Sequence, residues 1–236
     1  MDAAQNSENA DHFLILTPRL ILLPTPFAVS VSAYRKLYAE LHGDASFCGM
    51  GFGPHFLPRK WSDDETREVI TTRDIQRSWE KYSIGNFAIA LRDQPLGDDS
   101  NIGLLKGTSF KDFVGSDMAL FDDGKLKWVG YAGIRDATTT SLPHRGVADP
   151  TLPPWQEMVE VLYGTSPECW GKGIAKEAAE AVMKWAIDER GVRRFIAETE
   201  RDNQRSGRVL QKLGFSHSGT DYWKEPSEVE WEFVVR

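Results

Sequence analysis

Apolar positions recur at helical spacing in the second half of the chain, at Ala175, Ala178, Ala179, Val182 and Ala186. This narrow stripe predicts a helix from Gly171 to Arg190, with Gly191 as its stop. Short apolar runs on either side, Val159–Tyr163 and Arg194–Thr199, predict strands. A short helix is expected over Asn203–Leu213, stopped by Gly214, and strands around 216–223 and 229–235. In the last, Val229, Trp231, Phe233 and Val235 alternate with more polar residues, so one face is buried.

The first half is less regular. Residues 1–12 are polar and acidic and read as a disordered tail. Thr17–Thr25 reads as a proline-bounded strand, and Val29–His42 as a helix through Val31, Tyr34, Leu37, Tyr38 and Leu41. Residues 47–60, rich in Gly, Pro and Phe, read as an irregular loop. Ser62 and Glu65 form a capping-box pattern opening a helix to about Tyr82, whose sparse apolar positions leave much of it facing solvent. Phe87–Leu91 and Trp128–Ile134 predict strands. The segment 93–126 reads as an insertion with a hairpin, and 135–156 as a long loop. The order is that of a mixed α/β sheet.

Composition narrows the class. Of 236 residues, 41% are hydrophobic, enough for one compact domain with elaborations. A net charge of −7 argues against nucleic acid as the main partner and suits a cationic amine. The two cysteines, Cys48 and Cys169, form no CxxC pair, so no metal site or disulfide framework is expected, and a reducing cytoplasmic setting fits. No run is long enough to span a bilayer. The five histidines show no ligand spacing and read as surface or loop residues.

Chemistry concentrates in Ser166-Pro167-Glu168-Cys169-Trp170-Gly171-Lys172-Gly173-Ile174-Ala175, between a strand and the long helix. Two glycines two apart allow a tight turn and close approach of a ligand. The unsatisfied N–H groups and positive dipole end of the helix make a cradle for phosphate, and Lys172 adds charge at its mouth. A dinucleotide-binding fingerprint would need glycine at 176, where Lys176 stands. A P-loop also fails, because Gly164 lies seven before Gly171 and Gly173 follows Lys172.

Four blocks in order resemble the GNAT superfamily of N-acetyltransferases, and within it the RimJ/RimL type. They are Glu160-Val161-Leu162-Tyr163, Trp170 through Ala178, Asn203-x-x-Ser206 and Lys212-Leu213-Gly214-Phe215. In the front half only Thr17-Pro18-Arg19-Leu20 matches, and Glu168 departs from the family's usual Gln or Arg. The resemblance implies one GNAT domain over 13–236, with a mixed, mostly antiparallel sheet flanked by helices and strands splayed at the CoA site.

It also implies acetyl-CoA as co-substrate, with no metal. Backbone groups of Val161, Leu162 and Tyr163 would pair with pantetheine. The amides of Gly171, Gly173, Ile174 and Ala175, beside Trp170 and Lys172, would hold the pyrophosphate. Asn203 and Ser206 would lie near the thiol, Asn203 also serving as a helix cap. Glu160 is the first candidate for general base, ahead of Glu198 and Glu157, and Ser206 or a water for the acid. Trp155, Tyr163 and Trp170 are candidates for the acceptor pocket. The expected acceptor is an amine of a small molecule or a protein N-terminus, and the expected assembly a monomer or homodimer. A CoA-binding module without turnover, or transfer of another acyl group, stays open at this point.

Overall fold

The computed structural model describes residues 12–53, 55–92, 103–106, 119–122, 124–140, 142, 146–147, 149, 151–220, 222–223 and 226–236. Residues 1–11 of the expected tail and most of 93–126 lie outside them. Of the expected loop 135–156 most is described, and there the last strand residues end at Asp136 and Ala137–Thr140 is a short helix.

Among the described residues the frame is a nine-stranded sheet with long helices on both faces. Its strands are β1 (Phe13–Leu16), β2 (Leu20–Pro24), β3 (Asn86–Leu91), β4 (Gly103–Lys106), β5 (Lys127–Asp136), β6 (Val159–Thr165), β7 (Arg194–Glu200), β8 (Ser216–His217) and β9 (Glu228–Val234). Their order is β4-β1-β2-β3-β5-β6-β7-β9-β8, antiparallel except between β6 and β7. Phe13, Ile15, Leu20, Leu22, Phe87 and Ile89 pack on one face beneath helix α4 (Ile174–Arg190). Leu14, Leu16, Ile21, Leu23, Ala88 and Ala90 pack on the other. There they meet Tyr34 of α1 (Ser32–Gly43) and Ile70 of α3 (Asp63–Ile70). Burial on both faces explains why these strands read as unbroken apolar runs.

The structure corrects several expectations. Phe13–Leu16 is a strand of its own, turned into β2 through a Thr17 N–H to Leu20 carbonyl bond of 3.0 Å. Gly103–Lys106 pairs with β1, and Ala119–Asp122, in the second apolar stretch of 93–126, is a short helix. Part of the expected 47–60 loop is helix α2 (Ala45–Phe52), started by the Asp44 side chain accepting from the Phe47 N–H at 2.7 Å. The last-but-one strand is only Ser216–His217. His42 is buried, not on the surface or in a loop.

The capping box at Ser62 and Glu65 forms as expected. Helix α3 continues as a π-helical stretch, Thr71–Trp79, and ends at Tyr82. Its buried positions are Thr66, Ile70, Asp74 and Ser78, one every fourth residue. Three of the four are polar, so an inward face passed for a solvated one.

Candidate active site

The parallel pair of β6 and β7 lasts for two residue pairs, Val159 with Phe195 and Glu160 with Ile196. Beyond Glu160 the strands part, and β6 keeps only its β5 neighbour. The free backbone edge of Val161–Thr165 lines a cavity of about 640 Å³. This is the splay expected at the site, and it brings the motif blocks together. Glu160, Val161, Leu162, Tyr163, Trp170, Gly171, Gly173, Ile174, Ala175, Asn203 and Ser206 all line the cavity. Lys172, Trp155 and Glu157 do not. Glu157 pairs with Arg193 at 2.7 Å, and Trp155 packs on Tyr82 with centroids 5.6 Å apart.

At one end, Gly171 and Gly173 take φ of 77° and 78°, left-handed values that favour glycine. Gly173 is the N-cap of α4, and no side chain caps the helix. The N–H groups of its first turn are left to a ligand, with the positive end of the dipole behind them.

The β1–β2 turn braces this loop. The Arg19 guanidinium donates to the Lys172 carbonyl at 2.9 Å and to Glu177 of α4 at 2.6 Å. Glu177 also accepts from the Thr17 hydroxyl at 2.6 Å. Thus Thr17-Pro18-Arg19-Leu20, the one front-half match, is joined to the glycine loop. Glu168 points elsewhere, pairing with Lys127 at 3.0 Å.

Four cations on this side had no signal in the glycine-loop motif: Lys176, Arg205, Arg208 and Lys212 also line the cavity. Arg205 lies over the Trp170 ring at 4.8 Å. Their spacing along α4 and α5 (Gln204–Lys212) becomes meaningful only once those helices flank one cleft.

Asn203 caps α5, its side-chain oxygen accepting from the Ser206 N–H at 3.1 Å. Its amide nitrogen donates to the Met50 carbonyl at 2.6 Å and to the Ser206 hydroxyl oxygen at 3.1 Å. It therefore ties α2 to the cavity and leaves the Ser206 hydroxyl its own proton to give. The Tyr163 hydroxyl donates to the Ser206 carbonyl at 3.1 Å. Burial, opposed by a hydrogen bond with the Ser206 side chain, pushes the phenol upward and keeps it protonated.

The carboxylates divide unequally. Both oxygens of Glu160 accept from Arg135, at 2.7 and 2.8 Å, and Glu160 is only 4% exposed. The pair is set by strand register, Arg135 lying opposite Glu160 across β5 and β6. Glu198 of β7 also lines the cavity. Burial raises its proton affinity most; a hydrogen bond with the Glu228 carboxyl and the charges of Glu228 and Glu160 add to this, with Arg135 opposing. Asp74 is pushed up to about 6 by burial, against bonds from Thr25, Asn86 and Trp79. Among the described residues, no group of three or more His, Cys, Asp and Glu could hold a metal, and no helix could cross a membrane.

Comparison with known proteins is consistent with this geometry. The Acetyltransferase (GNAT) domain family matches residues 29–216. An uncharacterised N-acetyltransferase of Bacillus subtilis, YjdG, is 36% identical over 67 residues, 28% of this chain and 40% of that protein. FsC-acetyl coenzyme A-N(2)-transacetylase of Aspergillus fumigatus is 31% identical over 98 residues, 42% of this chain and 38% of that protein. The chain thus spans about two fifths of the length of these relatives. A solved RimL ribosomal L7/L12 alpha-N-protein acetyltransferase in complex with coenzyme A superimposes with a TM-score of 0.56 at 14% identity. That match covers 94% of this chain and 98% of RimL, and at this identity it speaks for the fold alone.

Proposed function

We propose, from the premise that this chain belongs to the GNAT acetyltransferase family, that it moves an acetyl group from acetyl-CoA to a primary amine. The observation that carries this reading is the parting of β6 from β7 directly in front of the uncapped, glycine-led start of α4. A free strand edge can pair with the amide groups of pantetheine, and a bare helix start can hold a pyrophosphate. Lys176, Arg205, Arg208 and Lys212 would meet the remaining phosphate charge. The motif blocks favour placement near the RimJ/RimL type.

In this reading an ammonium gives one proton to the Glu198–Glu228 pair, which later releases it to solvent. The neutral nitrogen attacks the thioester carbon, whose oxygen is polarised by a backbone N–H of β6. The C–N bond forms and the C–S bond breaks, its electron pair going to sulfur. The Ser206 hydroxyl delivers a proton to the thiolate and is refilled by the second nitrogen proton. Glu160 orients Arg135 and is assigned no proton transfer, since Arg135 occupies both its oxygens.

An amine screen that detects released CoA thiol tests the reading. At least one amine should drive thiol release well above the rate with acetyl-CoA alone. Acetyl-CoA binding without release under any amine would leave a CoA-binding module in its place.

A further inference from the structure

We infer that the acceptor is a small amine whose ring-bearing, apolar body also carries a carboxylate, and that Arg73 holds that carboxylate. The inference rests on the transferase reading above and adds the class of acceptor. Away from the glycine loop, the cavity is walled by Tyr38, His42, Phe47, Phe52, Phe56 and Tyr131. These rings touch one another: Tyr38 stacks on His42 at 4.2 Å, and Phe52 meets Phe56 at 4.6 Å. Phe52 is 41% exposed, a large apolar side chain left in water beside the cavity. A surface of this kind takes an apolar or aromatic body.

His42 adds no charge to this wall. Burial pushes it down to about 4; the Tyr38 carbonyl opposes this and the charge of Arg73 adds to it.

One cation faces this end without a partner. Arg73, on the π-helical stretch, lines the cavity and is exposed. Among the described residues its guanidinium makes no hydrogen bond or ion pair, whereas the neighbouring Arg135 is committed to Glu160. The adjacent Asp74 does not compete for it, because its oxygens accept from the Thr25 hydroxyl and the Asn86 N–H. A guanidinium fork matches a carboxylate in two parallel bonds. An acceptor whose carboxylate pairs with Arg73 would lay its ring against the aromatic wall. A polyamine would instead set a second cation against Arg73.

Initial rates at saturating acetyl-CoA, with the full chain and its Arg73→Gln variant, test the inference on phenylalanine, phenethylamine and spermidine. Phenylalanine should be the best of the three by kcat/KM. Arg73→Gln should raise its KM about tenfold, leaving phenethylamine and the KM for acetyl-CoA unchanged. Because Arg73 is exposed, the variant should fold normally. Preference for phenethylamine or spermidine overturns the inference, as does an equal effect of Arg73→Gln on both aromatic acceptors. Turnover of none of the three, with acetyl-CoA still bound, overturns it and leaves the CoA site standing. Failure to bind acetyl-CoA overturns both readings.

Discussion

Gly173→Asp is expected to abolish acetyl-CoA binding while the protein stays folded. Gly173 sits at the N-cap of α4 with φ of 78°, so a side chain there stands at the helix start that forms the cradle. A carboxylate at this point repels phosphate and takes over the dipole end meant for it. The strain of a left-handed non-glycine residue is about 1–2 kcal/mol. Asp is among the few side chains that tolerate this region, which lowers that strain. An added Cβ would also lie 3.4 Å from the Arg19 guanidinium, placing the new charge beside a cation. The loss of affinity, at least about 100-fold, therefore reports on the site rather than on unfolding. Lys172→Ala is the contrast. Its side chain is exposed and outside the cavity lining, so affinity should fall by no more than about fivefold. Unchanged affinity in Gly173→Asp would place the phosphates elsewhere.

Glu198→Gln is expected to lower kcat by about 100- to 10,000-fold, the usual range for losing a general base, with acetyl-CoA binding intact. The pH profile adds a second readout. The proton affinity of Glu198 is raised by burial first and then by Glu228 and Glu160. A base must be deprotonated to act, so wild-type turnover should rise with pH along a limb above the ordinary carboxylate range of about 4. A weakly basic acceptor such as a hydrazide keeps the acceptor's own titration out of this window. Glu198→Gln should lose the limb. Because the titration of Glu198 is tied to that of Glu228, the limb belongs to the pair. Wild-type turnover and an unchanged limb would remove Glu198 from the mechanism. Glu160→Gln separates the roles less cleanly, since it strips a buried counter-charge from Arg135 and costs stability as well as rate.

What could be read from sequence follows the range of the interactions. The run from β6 to α5 was legible because its signals are local: two glycines before a helix, an alanine stripe, an asparagine at a helix start. Strand β1 was not, since Phe13–Leu16 is buried on both faces and shows no alternation. Helix α2 contains two glycines and no clear period, and it stands on the Asp44 cap and the Asn203 bond to Met50. The inward face of α3 carries Thr66, Asp74 and Ser78, so polarity disguised burial. The partner of Glu160 is 25 residues away and is chosen by strand register. The brace from Arg19 to the glycine loop crosses 153 residues. The acceptor end, with Arg73 and the rings of α1 and α2, carried no motif and emerges only from packing.

The most direct test of the central claim is a calorimetric titration of the full chain with acetyl-CoA. The cradle at Gly171–Ala175 and the free edge of β6 predict saturable binding of one acetyl-CoA per chain. No binding heat up to millimolar acetyl-CoA, at more than one temperature, would contradict the account.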